Sequence, residues 1–284
     1  MSQLVDRKFW DARHQDYSAE NAAASVRSER GVRGRLARLR ARVGAQPSES
    51  YADFQTARVM KRHLPVRSDW SVVEVGCAPG RHLLRMRELF GYVPFGIEYS
   101  PVGAAETRGV FARNGIDPAN VHEGDFFAPA VQQGLAGRFD VVLSRGFVEH
   151  FPEPRGVIAQ HVNLLKPGGY LVCTIPNLRS FAWPFLATCA RDILNAHNTR
   201  IMRRRVYGEL FEHQGLESLC CQYVGVFQFF GLVLRHEHSP RGWVARGMDR
   251  LSDVINHALF AALRGRAIEH AWSPHLIYIG RRQG

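Results

Sequence analysis

Val72-Val73-Glu74-Val75-Gly76-Cys77-Ala78-Pro79-Gly80 is the stretch whose reading decides the fold. A short apolar strand ends in an acid, turns on glycine and opens a helix at Arg81-His82-Leu83-Leu84. Glycine takes positive φ without penalty and lets backbone approach a ligand closely. A strand-to-helix turn also leaves the first helical N–H groups unpaired, where a nucleotide or carboxylate can sit. A dinucleotide fingerprint needs a third glycine three residues after the second. Counting from Gly76, those places hold Ala78 and then Arg81, whose bulk prevents close helix packing. The turn is therefore built for a different nucleotide-like ligand.

Working outward, apolar runs alternate with helical stretches, the mark of a βαβ series around a parallel sheet. The strands read are Ser71–Gly76, Val93–Glu98, Val121–Gly124, Phe139–Ser144 and Tyr170–Ile175, with Lys166-Pro167-Gly168-Gly169 turning into the fifth. Two more lie near Ser218–Phe230 and His275–Gly280. Acids stand at or just after three strand ends: Glu98, Asp125 and Glu149. Ligands of open parallel sheets bind outside the carboxyl ends of the strands. Glu98 follows Gly76 by 22 residues, the spacing at which a carboxylate accepts from a ribose diol.

Five ordered blocks resemble the class I S-adenosylmethionine-dependent methyltransferases, small-molecule branch. They are Glu74 to Gly80, Gly96-Ile97-Glu98, Glu123-Gly124-Asp125-Phe126, Phe139-Asp140-Val141-Val142 and Leu165-Lys166-Pro167-Gly168-Gly169. The flanking Gly146-Phe147-Val148-Glu149-His150-Phe151 and Ile175-Pro176-Asn177-Leu178 resemble the same branch. The resemblance covers residues 71–177, and its ordered set is far more specific than any one block. It implies an α/β fold, a doubly wound seven-stranded mostly parallel sheet whose last strand is antiparallel, and S-adenosyl-L-methionine as cofactor. It also implies cofactor contacts from Glu74, Gly76, Cys77, Gly80, Glu98, Tyr99, Asp125, Phe126, Ser144 and Arg145. In this scheme Glu98 holds the ribose hydroxyls, Asp125 the adenine amino group, and Phe126 lies against the ring. Ser144 and Arg145 stand near the sulfonium. Ala78 departs from the glycine found in many members, and alanine is costly there only if φ must be positive.

His150, past the fourth strand, and His197, in Asn195-Ala196-His197-Asn198, are the catalytic candidates. An imidazole titrates near neutrality and can take a proton from a hydroxyl or amine. The competing reading is two structural histidines that only bond nearby backbone. A carboxylate acceptor needs no base, and arginines would hold it. No metal ligand set is expected: the five cysteines form no C-x-x-C pair and read as reduced thiols of a cytoplasmic protein.

Of the 284 residues 45% are hydrophobic, yet no run of about 18 apolar residues occurs, so no membrane span is expected, nor a secretory leader. The net charge is +11, from 34 Arg and 3 Lys against 26 acids. That permits an anionic partner without naming one. The Asn/Asp-Pro-Pro-aromatic signature of nucleic-acid amine methylation is replaced by Ser144-Arg145-Gly146-Phe147, so a small-molecule substrate is favoured over nucleic acid. Methylation of RNA or protein, and non-catalytic cofactor binding, stay open, as does a homodimer.

The expected organisation is an N-terminal helical cap over residues 1–65 and a methyltransferase domain over 66–284, with a lid insertion at 178–214 and a helical insertion at 235–272. Within the cap, Val32, Leu36, Leu39 and Val43 keep helical spacing among seven arginines of residues 26–43. Phe181, Trp183 and Phe185 could line a substrate pocket or simply pack a lid helix.

Overall fold

The structure is a computed structural model that describes Leu4 and residues 51–227, 239–263 and 269–284. The Arg-rich segment 26–43 of the expected cap lies outside the described residues.

Helix α1 (Tyr51–His63) precedes strand β1 (Ser71–Val75), followed by α2 (Arg81–Phe90), β2 (Val93–Glu98), α3 (Pro101–Arg113) and β3 (Val121–Glu123). Then come α4 (Pro129–Gly134), β4 (Phe139–Arg145), α5 (Pro154–Asn163) and β5 (Leu165–Pro176). The remainder is α6 (Trp183–Cys189), α7 (Arg191–Asn195), α8 (Arg204–Glu209), β6 (Leu216–Val224), α9 (Pro240–Leu263) and β7 (His275–Arg282). The seven strands form one sheet in the order β3-β2-β1-β4-β5-β7-β6. All neighbours among the first five are parallel, and β7 runs antiparallel between β5 and β6.

The central strands are apolar on both faces because helices cover both. Val72, Val141, Leu143, Val172 and Ile277 face Met60 of α1, Leu83 and Met86 of α2 and Phe111 of α3. Val73, Val142, Leu171, Cys173 and Leu276 face Val157 and Ile158 of α5 and the short helices α6 to α8. Phe211 stacks on Tyr278 with centroids 3.6 Å apart, locking residues after α8 to β7.

Two strand boundaries differ from the sequence reading by more than two residues. The fifth strand begins at Leu165, not Tyr170, because Leu165 pairs with Phe139 before Lys166–Gly169 loops out and Tyr170 rejoins Val141. That loop is anchored by Lys166 Nζ, which donates to Asp140 Oδ2 at 2.8 Å. The sixth strand ends at Val224 rather than Phe230. The segment 178–214, expected as a lid insertion, forms three short α-helices and a 3-10 turn.

Candidate active site

The chain order reverses between β1 and β4, and the crevice beyond their carboxyl ends is where such sheets bind ligands. The glycine turn opens into it. Gly76 and Gly80 have φ of +72° and +87°, and Gly80 sits at the N-cap of α2 with no side-chain cap. A Cβ on Gly80 would stand 3.0 Å from Thr107 Cγ2, and one on Gly76 would stand 3.3 Å from the Phe147 ring. The Gly76 and Cys77 N–H groups donate to Ile97 O, which fastens the turn to β2. The Cys77 thiol is buried, burial pushes its pKa up, and it fills the space beside Gly96. Only the backbone of Cys77 can therefore face a ligand.

Glu98 ends β2 and is 4% exposed. Its carboxylate accepts from Ala78 N at 3.1 Å and Ser100 N at 3.0 Å, joining the turn to the start of α3. Tyr99 beside it is exposed. Glu74 is buried, and its Oε2 has no hydrogen-bond partner among the described residues. Burial drives its pKa up, and the nearby Arg145 cation opposes that.

Arg145, at the end of β4, donates to Asp53 Oδ1 of α1 at 2.7 Å, and its Nη1 lies 2.8 Å from His82 Nδ1. Burial and the Arg145 cation lower His82 to about 3, so its ring is neutral and Nδ1 accepts from the guanidinium. The Ser144 hydroxyl, by contrast, is fully buried beside Cys173.

Asp125 is exposed, and its Oδ1 accepts from Phe127 N at 2.9 Å, a turn-capping bond. Phe126 is buried among Phe127, Phe147 and His161, with the His161 ring at 4.7 Å. The half-buried Phe127 stacks along Phe147, which borders Gly76, so Phe127 is the more accessible ring.

Beyond β4 a 3-10 turn (Val148–His150) brings His150 against His197, with ring centroids 4.5 Å apart. His150 Nδ1 bonds Ala196 O at 2.8 Å and His197 Nδ1 bonds Ile193 O at 2.6 Å. A carbonyl only accepts, so each Nδ1 is the donor to its backbone partner, and His150 Nε2 lies 4.0 Å from Glu149 Oε1. Burial raises the Glu149 carboxyl to about 8. One ligand atom each from Glu149, His150 and His197 lies within 4.8 Å of the other two, a set that could hold a cation. The sequence reading expected no metal ligands, since this trio is split by 46 residues and only folding assembles it. Leu4 N donates to His150 O at 2.9 Å, so the start of the chain reaches this edge.

Sequence reasoning left out Asp53, Phe147 and Glu149 as site residues. Asp53 meets Arg145 across 92 residues, which no local pattern signals. Glu149 stands next to His150, and adjacency to a candidate base was the available cue.

A family model described as a methyltransferase domain matches residues 28–220, well over half of the chain. The chain is a class I S-adenosylmethionine-dependent methyltransferase. Its cofactor is accordingly S-adenosylmethionine, and the left-handed glycines, the strand-end Glu98 and the unpartnered Glu74 oxygen suit it. The methyltransferase is 33% identical over 127 residues to the tRNA U34 carboxymethyltransferase of Tolumonas auensis, 44% of this chain and 37% of that one. It is 31% identical over 103 residues to the chloroplastic tocopherol O-methyltransferase of Arabidopsis thaliana, 36% of this chain and 28% of that one. The matched region thus spans less than two fifths of either relative. The fold is also that of the geranyl diphosphate C-methyltransferase of Streptomyces coelicolor, solved with Mg2+, geranyl diphosphate and S-adenosyl-L-homocysteine. That likeness has a TM-score of 0.51 and 18% identity, over 80% of this chain and 78% of the other.

Proposed function

We propose that this methyltransferase methylates a hydroxyl of a small organic molecule, with His150 taking the proton. The observation that carries the reading is the His150–His197 ring pair beyond β4, oriented by the bond from each Nδ1 to a backbone carbonyl. A sulfonium methyl is already activated, so the protein's work is to position the reactants and exclude water.

In this reading the turn from Gly76 to Gly80, with the Cys77 backbone, accommodates the methionine part of the cofactor. Glu74 offers its unpartnered oxygen and Arg145 its cation at that end, and Tyr99 borders the ribose. Glu98 exchanges a backbone bond for the ribose hydroxyls. Asp125 receives the adenine amino group, with Phe127 rather than the buried Phe126 along the ring. The Ser144 hydroxyl takes no part. His150 Nε2 would take the acceptor proton as the hydroxyl oxygen bonds the methyl carbon and the carbon–sulfur bond breaks, leaving S-adenosyl-L-homocysteine, and His197 would steady the resulting imidazolium. Helix α1 and the 178–214 segment cover the site. The tocopherol-modifying relative supports a hydroxyl acceptor.

The tRNA-modifying relative and the +11 charge support RNA as a second reading. Mass spectrometry of phenols, catechols, amines and acids incubated with S-adenosylmethionine tests the first reading. Phosphate contacts make RNA binding steeply salt-dependent. Methylation of tRNA with salt-sensitive binding, and no methylated small molecule, would replace the first reading by the second.

A further inference from the structure

Helix α9 turns its apolar residues the wrong way for a helix that only caps a domain. Trp243, Val244, Gly247, Leu251, Val254 and Ala258 fall within about 100° of one another around the helix axis. All six are exposed, Trp243 to 71% and Val254 to 66%. The opposite side does the packing: Gly242, Ala245 and Ser252 are buried, and Leu259 packs against Phe54 and Val226. No acid interrupts the outer stripe, and Arg250 stands exposed at its edge. A contiguous apolar surface of this kind marks an interaction site.

Contacts from the packed side of α9 lead toward a cavity of about 350 Å3 lined by Arg179, Phe181, Trp183 and Trp272. Asn256 of α9 donates to Phe227 O at 2.6 Å, and the Phe227 ring lies 5.1 Å from Phe181. At the other end of the helix, Arg241 Nη1 donates to Cys189 O at the end of α6, the helix that Trp183 opens. Trp272 is 58% exposed at the cavity rim.

We propose that the outer stripe of α9 docks this methyltransferase on an anionic lipid surface, with the neighbouring aromatic cavity receiving an apolar acceptor dissolved there. An amphipathic helix with Trp and Leu on its apolar face and Arg beside it lies in a bilayer interface, more strongly where the lipids are anionic. The net charge of +11 supplies the complementary sign. Tryptophan suits the headgroup level, where its ring is half apolar and half wet. No helix of the described residues is long and apolar enough to cross a membrane, so the contact is peripheral. The acceptor part rests on the small-molecule reading of the active site, whereas the docking part does not.

The test is co-sedimentation of the full chain with vesicles of phosphatidylcholine and phosphatidylglycerol, against phosphatidylcholine alone. The expected result is binding to the anionic vesicles that weakens with salt. A variant carrying Leu251→Asp and Val254→Asp, both exposed, is expected to lose it by about tenfold or more. S-adenosyl-L-homocysteine binding, read by calorimetry on the same samples, is expected to be unchanged. Three results overturn the proposal: no vesicle binding by the parent chain, binding that the double substitution leaves intact, or a dimer that the substitution splits. Cofactor binding without vesicle binding removes the surface and spares the methyl-transfer reading. Vesicle binding without cofactor binding keeps the surface and removes that reading.

Discussion

Arg145 at the end of β4 and Asp53 in α1 form an ion pair of 2.7 Å that clamps the helix before the sheet onto the ligand crevice. The pair is partly exposed, so its Coulomb energy is screened, and Asp53→Asn costs about 1 kcal/mol or less. For a domain of this size that lowers the thermal midpoint by about 2–4 °C or less. The larger expected effect is on ligand affinity, because Arg145 loses the carboxylate that holds it at the end of β4. Calorimetric titration with S-adenosyl-L-homocysteine checks this, and unchanged affinity would separate the clamp from the cofactor.

Glu98 offers a stronger test of the ribose assignment. Glu98→Gln keeps one acceptor oxygen for the backbone at Ala78 or Ser100 but replaces the other with a donor. A diol bound through two hydroxyls then loses a charge-assisted bond, and the dissociation constant rises about tenfold or more, since about 1.4 kcal/mol is a factor of ten. The circular dichroism spectrum is expected to stay as it is.

At Gly80 the backbone and the packing forbid a side chain for separate reasons. Its φ of +87° costs an L-residue about 1–2 kcal/mol, and the added Cβ meets Thr107 and Phe111. Gly80→Ala is expected to lower both stability and cofactor affinity. Gly134→Ala, in α4 with nothing within 4 Å, is the matched control and is expected to hold or raise stability. Chemical denaturation of both variants decides.

Removing the base leaves binding intact but slows the chemistry. His150→Ala is expected to lower turnover about 100-fold with cofactor affinity retained, the usual contribution of a positioned base. Turnover equal to the parent enzyme removes His150 from the mechanism. Activity lost on chelation and restored by Mg2+ or Mn2+ would instead make Glu149, His150 and His197 cation ligands.

His161 gives the fold a pH dependence of known sign. It is 1% exposed, and burial lowers its pKa from 6.5 to about 4. The folded ring is neutral while the unfolded chain takes up a proton below about pH 6.5. Stability from this group is therefore complete above pH 6.5 and lost as pH falls toward 4, with a limiting slope of about 1.4 kcal/mol per pH unit. His161→Phe, which keeps a ring between Phe126 and Phe147, is expected to flatten stability against pH in that window. An unaltered slope would contradict the assignment.

Much of the sheet was legible because its signals are local. β1 and β2 are short apolar runs ended by glycine turns or acids, and their periodicity survives any packing. The strand around Lys166–Gly169 was read late because a proline and two glycines look like a terminator. Leu165 nevertheless pairs across the loop, since Asp140 holds Lys166 in place. Phe126 shows the opposite failure. Phe126 and Phe127 are equivalent in sequence, and only the surrounding rings bury the first and leave the second at the crevice.

By itself the sequence determined the strand–turn–helix at Gly76–Gly80, the acids at or just after three strand ends and the family, since these rest on backbone freedom and short spacings. Tertiary structure decided which side chains border the crevice and which are buried beneath it. It buried Ser144, Cys77 and Phe126, joined Asp53 to Arg145, set His197 against His150 and left the Trp243–Ala258 stripe bare. Such contacts form between segments far apart in the chain, where packing rather than local preference selects the partner.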